Sequence, residues 1–115
     1  MTAISENLDN VVILRLTGEC TDPASVESMK TILGYHIMGG RPRIVVNMSD
    51  VSHIGYRGLG TLVERLRQAR SRGGDVKLCL QSNYIRKMFE VVGAENIFDT
   101  FESEWAALES FGVAV

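Results

Sequence analysis

Residues 43–60 read RIVVNMSDVSHIGYRGLG, and they hold the strongest structural signal in the chain. The nearly continuous apolar run up to Met48 is typical of a strand buried on both faces of a sheet. A short turn is expected after it, followed by an amphipathic helix from Tyr56 to Arg72 that ends at Gly73. A buried strand that leads directly into a helix indicates a parallel crossover, and therefore an α/β fold.

The rest of the chain alternates between strand and helix patterns. A hairpin is predicted to open the sheet, with a turn at Asn10 between a short first strand and the apolar run Val11–Leu16. The later elements, in chain order, are a helix from the N-cap Asp22 to Ile37, a strand over 76–80, a helix over 82–93, a short strand over 97–101 and a closing helix over 103–111. We therefore expect a mixed β-sheet with packed helices, forming one domain over residues 1–115.

Composition and charge exclude several classes of protein. With 45% hydrophobic and 23% charged residues, the chain has the balance of a folded globular domain. A formal net charge of -2 gives no electrostatic reason to bind nucleic acid or an anionic membrane. No apolar run approaches the roughly 20 residues of a membrane span, and Met1 leads into polar residues without a signal sequence, so a cytoplasmic location is expected.

The residues that most often carry metal or catalytic chemistry are isolated in the sequence. Cys20 and Cys79 lie far apart, without a second cysteine or a histidine at ligand spacing, which favours reduced structural thiols. His36 and His53 are equally isolated, and no nucleophile is paired with a general base. We therefore predict no metal, no cofactor and no enzymatic activity.

The junction between the buried strand and the following helix is the best candidate for a functional surface. A helix N-terminus exposes unpaired amide groups, and its dipole favours negative charge. Gly58 and Gly60 each cost a helix about 0.5–1 kcal/mol. Two interpretations remain open: another molecule approaches the backbone closely there, or the glycines let the helix pack tightly against the sheet.

The order of elements and several short motifs resemble the STAS domain of anti-sigma factor antagonists, over nearly the whole chain. The motifs are Leu16–Glu19, Asn47–Ser49, Ile54–Gly60, Ala69–Gly74, Val91–Ala94 and Ile97–Phe98. No single motif is specific, but together they are.

The resemblance also reveals a departure at the family's regulatory motif. Members of this type typically carry Asp-Ser-Ser/Thr-Gly-x-Gly, and a partner kinase phosphorylates the second hydroxyl residue to break the complex. Gly55, Tyr56 and Arg57 stand here at the Asp, Ser and phosphoacceptor positions, and Asn47 replaces a usual Asp in the preceding strand. Because a guanidinium group has no hydroxyl, the usual switch cannot operate at Arg57.

The resemblance places the partner-binding surface on this junction. The candidate binding residues are Ser52, Ile54, Gly55, Tyr56, Arg57, Gly58 and Gly60. Arg57 either pairs with an acidic group or phosphate of a partner or extends into water. Tyr56 contacts a partner, packs within the domain or carries a relocated phosphorylation site on its hydroxyl group. Other hydroxyl groups near the junction belong to Ser49, Ser52, Tyr56 and Thr61, and Arg65, Arg67, Arg70 and Arg72 fit a solvated helix face better than a binding patch.

The resemblance implies a non-enzymatic interaction module whose partner is an anti-sigma factor or a related kinase-like protein. One alternative is an accessory STAS subunit of a transporter or a signalling scaffold. Another is a nucleotide-sensing or lipid-sensing module, although the chain has neither a P-loop nor a Rossmann glycine pattern.

Overall fold

An antiparallel hairpin opens the sheet. In the computed structural model, which describes residues 1–114, strand β1 (Thr2–Leu8) pairs with strand β2 (Val11–Cys20). The connecting residues Asp9 and Asn10 both have positive φ, 49° and 66°. Asp and Asn tolerate this conformation better than other side chains, and tight hairpin turns require it. The predicted hairpin is confirmed.

Helices and parallel strands alternate after the hairpin. The elements are α1 (Pro23–Met38), β3 (Arg43–Ile54), α2 (Tyr56–Ser71), β4 (Asp75–Cys79), α3 (Asn83–Val91), β5 (Thr100–Phe101) and α4 (Glu104–Ser110). The sheet order is β1-β2-β3-β4-β5, and only the first pair is antiparallel. This is the mixed sheet of the predicted α/β fold. Within residues 1–114, none of the helices has the length and apolar character that crossing a bilayer demands.

The sheet has a thick core on one face and a thin core on the other. Helices α1, α2 and α3 cover the first face, where Leu33, Leu62 and Phe89 belong to the larger apolar cluster. Helix α4 covers the second face through Ala107 and Leu108. Central strands buried on both faces explain why their sequences are apolar without alternation.

Strand β3 is longer than the sequence predicted. We expected it to end near Met48 and to be followed by a turn, but it continues to Ile54 and stays paired with β2, where Cys20 lies opposite Ile54. The register shifts twice along this pair, between Arg15 and Thr17 and again between Gly18 and Glu19. These irregularities break the period-two pattern, so the polar residues of an extended strand resemble a turn in the sequence.

Strand β5 is shorter than the sequence predicted. Only Thr100–Phe101 pair with β4, whereas the predicted strand began at Ile97. Phe98 lies in the preceding turn region, where it is buried and packs edge-to-face against Phe89 with 5.7 Å between the ring centroids. The apolar character of this segment therefore serves packing against α3.

Candidate functional site

The N-terminus of α2 lies at the edge of the sheet where the parallel strands β2 and β3 end. The Gly55 N–H donates a 3.1 Å hydrogen bond to the carbonyl of Cys20, so the start of α2 is anchored to the end of β2. A Cβ atom added to Gly55 would lie 4.0 Å from the Cα of Thr21. The chain segments after two neighbouring strands thus meet at this point, as in other α/β sheets that place sites at their carboxyl edge.

Helix α2 begins without a capping side chain. Asp22 caps α1 by accepting a hydrogen bond from the Ser25 N–H, and Ser82 caps α3 by accepting one from the Ile85 N–H. The N-cap of α2 is Gly55, which has no side chain to do so, and the first turn contains no acidic residue. The Leu59 N–H makes the first intrahelical bond, to the Gly55 carbonyl at 3.1 Å. The amide groups before it lack intrahelical acceptors and can bind an acceptor group of another molecule.

Several predicted site residues reach solvent around this helix start. Tyr56 is 65% exposed, and Ser52, Arg57 and Gly60 are also exposed, while Gly55 is partly buried. None of the ion pairs within residues 1–114 includes Arg57. The guanidinium group is therefore available to an external partner.

Two of the predicted site residues are buried instead. Ile54 is only 1% exposed and belongs to the larger apolar cluster. Gly58 is buried against it, because an added Cβ would lie 2.8 Å from Ile54 Cγ1 and 3.4 Å from the Cys20 carbonyl oxygen. We correct the expectation that the Ile54 side chain contacts a partner: it packs in the core. At Gly58, the absence of a side chain lets α2 pack tightly against the sheet, which is the second of the two interpretations given for the glycines.

The hydroxyl groups near the junction differ in accessibility. Ser52 and Tyr56 are exposed, whereas Thr61 is buried and Ser49 is partly buried. The Ser49 N–H also donates a 2.9 Å hydrogen bond to Asn47 Oδ1, which holds its backbone in place. Among these four residues, Ser52 and Tyr56 are the most accessible to a kinase.

The sequence suggested that His53 is isolated, but in the structure it contacts two other side chains. Its Nδ1 lies 3.5 Å from Glu19 Oε1, and its ring meets that of Tyr84 edge-to-face with 5.2 Å between centroids. These residues come from the ends of β2 and β3 and from the start of α3. The strand register pairs Glu19 with His53, and the packing of α3 adds Tyr84, so no local motif could have revealed the cluster.

The arginine series on α2 is only partly a solvated face. Arg65 Nε donates to the Lys30 carbonyl at 3.2 Å and its guanidinium group crosses over Gly34, where an added Cβ would lie 2.8 Å from Nη2. Arg70 pairs with Asp75 at 3.1 Å and donates to the Ile97 carbonyl. Arg65 and Arg70 therefore tie α2 to its neighbours, and Arg67 and Arg72 fit the expected exposed face.

A polar network holds α4 on the opposite face of the sheet. Glu104 accepts hydrogen bonds from Arg15 Nε at 2.8 Å, from Arg15 Nη2 at 2.9 Å and from Asn47 Nδ2 at 2.6 Å. The Arg15 hydrogen bonds are the main cause that lowers the pKa of Glu104, and the same bonds raise the pKa of Arg15. The sequence separates these residues widely, and its motifs gave no sign of the network.

The thiols and acidic groups of residues 1–114 are spread over the fold. Across residues 1–114, no group of three or more His, Cys, Asp or Glu side chains is arranged to hold an ion. Cys20 and Cys79 are both buried, in the larger and the smaller apolar cluster respectively. Burial raises the pKa of both thiols, that of Cys79 to about 12, so both stay protonated and inert at neutral pH.

A family model described as the STAS domain matches residues 3–107. This match, together with the fold and the helix start described above, assigns the class of the protein: the chain belongs to the STAS domain family. The predicted family and the predicted fold are both confirmed.

Similar proteins extend over the full length of the chain. BtrV of Bordetella bronchiseptica, a proposed anti-sigma factor antagonist, is 26% identical over 115 residues, covering 100% of this chain and 98% of BtrV. An anti-sigma factor antagonist from Mycobacterium paratuberculosis superposes with a TM-score of 0.85 at 20% identity, covering 95% of this chain and 92% of that one.

The anti-sigma factor antagonist SpoIIAA, from Bacillus, is similar in two solved forms. Its unphosphorylated form gives a TM-score of 0.82 at 24% identity and covers 99% of this chain and 100% of SpoIIAA. Its phosphorylated form gives 0.75 at the same 24% identity and covers 96% and 99%. At these identities the solved structures support the fold.

Proposed function

We propose that this chain is an anti-sigma factor antagonist that acts by binding, without catalysis, and that its partner is an anti-sigma factor or a related kinase-like protein. The observation that carries the proposal is the start of α2, which combines an uncapped helix N-terminus with exposed Tyr56 and Arg57 in a STAS fold. In this proposal residues 1–115 form one domain that works in the cytoplasm.

The binding surface consists of the exposed groups at that helix start. Ser52, Gly55, Tyr56, Arg57 and Gly60 meet the partner, while Ile54 and Gly58 hold the backbone that presents them. An unpaired guanidinium group on the rim favours an acidic group on the partner, with bidentate geometry available.

Regulation differs from that of relatives that switch by phosphorylation. SpoIIAA has been solved in a phosphorylated form, so this fold accommodates a phosphate in that protein. Arg57 occupies the position that the resemblance assigns to the phosphoacceptor, and it has no hydroxyl group to accept phosphate. The protein is therefore a constitutive antagonist, or it is regulated by another input.

Binding measurements with charge variants test the proposal. Each anti-sigma factor of the source organism is purified and titrated with the wild type and with Arg57→Glu. We expect one partner to bind, and Arg57→Glu to weaken it by about tenfold or more, the size of a lost charge-assisted contact. Arg72→Glu is the matched control, because it makes the same charge change at the exposed far end of α2. Equal affinity of the wild type and Arg57→Glu for the partner would show that Arg57 is not part of the binding surface.

A phosphorylation assay tests the regulatory part. The wild type and Arg57→Ser are incubated with the cognate kinase and ATP, and their intact masses are compared. Stoichiometric phosphate on residues 55–58 of the wild type contradicts the proposal, whereas phosphate on Arg57→Ser alone supports it. Co-purification with a transporter ATPase instead of an anti-sigma factor would point to the accessory-subunit alternative.

A further inference from the structure

A groove runs along α2 beside the proposed binding surface. It has a volume of about 520 Å³ and begins at Tyr56 and Gly60. Leu59 and Val63 of α2 line one wall, and Val92 and Ile97 line the other. Val92, which follows the last residue of α3, is 40% exposed, which is unusual for valine. The groove is thus an apolar surface open to solvent.

Gly60 is the one glycine inside a described helix that this chain does not itself require. Gly34 is covered by Arg65 and Gly58 by Ile54, whereas a Cβ on Gly60 would meet nothing within 4 Å. A glycine at this position lowers helix stability, and no contact within residues 1–114 requires the side chain to be absent. The absent side chain leaves a dip in the exposed surface of α2, directly beside the groove.

The charges along this surface suit an acidic ligand. Arg57 lies three residues before Gly60, Glu64 four residues after it and Arg67 three residues after Glu64, so all of them share one face of α2. None of them belongs to an ion pair within residues 1–114. Two arginines against one glutamate make this face locally positive on a chain whose formal net charge is -2.

We infer that the groove receives an amphipathic helix of the protein partner, packed against Gly60 with its apolar side chains between Val63 and Val92 and with carboxylates facing Arg57 and Arg67. This inference rests on the proposed function and identifies the part of the partner that binds. A glycine allows two helix axes to approach closely, to about 8 Å. The face from Arg57 to Arg67 spans about 15 Å, the length of roughly three turns of a partner helix.

Graded substitutions at Gly60 test the inference. The probe is the anti-sigma factor that binds the wild type in the titrations above. Gly60→Ala is expected to raise the melting temperature and still weaken binding, and Gly60→Leu and Val92→Asp are expected to weaken binding by about tenfold or more. A misfolded variant cannot gain stability while it loses affinity, so Gly60→Ala separates a lost contact from a lost fold. Ser28→Leu, on the exposed face of α1, is the control and should bind like the wild type.

A photocrosslinking amino acid at position 92 identifies the occupant. Crosslinks to partner residues spaced three or four apart support a helix, and crosslinks confined to a loop or strand overturn it. If Gly60→Leu binds with full affinity while Arg57→Glu loses affinity, the groove is not part of the binding surface, and the proposed function still stands. If no anti-sigma factor binds the wild type, both are overturned.

Discussion

The Asn47 amide donates a 2.6 Å hydrogen bond to Glu104, and this contact joins the central strand β3 to α4. STAS domains of the antagonist type usually carry Asp at this position. An aspartate here would face the Glu104 carboxylate at hydrogen-bond distance, where two like charges repel. Asn47 is therefore compatible with Glu104, because its side-chain amide donates a hydrogen bond where an aspartate would repel the carboxylate.

Asn47→Asp should lower the free energy of unfolding by about 1–3 kcal/mol at pH 7, because a hydrogen bond is replaced by carboxylate repulsion. Urea denaturation measures the change. Adding Glu104→Gln to Asn47→Asp removes the like-charge pair, so the double variant should lose less stability than the sum of the two single losses. Equal stability of Asn47→Asp and wild type would show that the contact carries little energy.

Glu104 should also make stability depend on pH in the acidic range. Its pKa is lowered in the folded state, mainly by the Arg15 hydrogen bonds. The contribution is therefore complete above the ordinary glutamate pKa of about 4.3 and is lost as the pH falls through the lower folded value. The stability difference between wild type and Glu104→Gln, measured by urea denaturation at several pH values, should be large at pH 7 and shrink below about pH 4.

The pH comparison has a matched control on the same helix. Glu109→Gln changes an exposed carboxylate of α4 and should leave the curve nearly parallel to that of the wild type. The pKa of Asp22 is also lowered, by its hydrogen bonds to Ser25, but that contribution is common to all variants and cancels in the differences. A difference between wild type and Glu104→Gln that stays constant from pH 7 to pH 3 would contradict the assigned role.

Substitution by alanine should change stability in opposite directions at Gly58 and Gly60, the two glycines at the start of α2. Gly58→Ala forces a Cβ to within 2.8 Å of Ile54 and should destabilise the protein by about 1–3 kcal/mol through overpacking. Gly60→Ala enters open space and should stabilise it by about 0.5–1 kcal/mol through helix propensity. Urea denaturation of both variants measures the pair, and a loss of stability in Gly60→Ala would mean that its surroundings are tighter than the structure indicates.

Arg57→Glu should stabilise the free protein while it weakens binding. A cation in the first turn of α2 opposes the helix dipole, and an acidic residue there gains about 0.3–1 kcal/mol at low ionic strength. The gain should shrink in high salt, because exposed charges are screened. Thermal unfolding at two salt concentrations measures the gain in stability. The melting temperature of Arg57→Gln should lie between those of the wild type and Arg57→Glu. A lower stability for Arg57→Glu would reveal a favourable contact of the arginine within the fold.

The family, the sheet and most helices could be predicted because their signals are local. Pro23 after Asp22, the apolar run before Met48 and the stripe on α2 each follow from nearest-neighbour geometry. The sequence assigns Ile54 to the binding surface because the strand is expected to end near Met48. The strand instead continues to Ile54 through its pairing with β2, and this pairing depends on residues of another strand.

The long-range side-chain contacts that hold the helices in place could not be predicted, because they join residues far apart in the chain. Glu104 meets Asn47 across 57 positions, and Arg65 reaches the carbonyl of Lys30 across 35. Composition shows neither. The difference between Gly58 and Gly60 is likewise invisible in the sequence, since only the packing around each glycine distinguishes them.

The placement of the two cysteines makes the protein convenient to label. Cys20 and Cys79 belong to apolar clusters on opposite faces of the sheet, so β-sheet backbone lies between their side chains. Their raised pKa values leave little thiolate to attack a maleimide or a disulfide reagent. A single cysteine introduced on the surface would therefore react selectively in the folded protein, and the native thiols would become reactive only on unfolding.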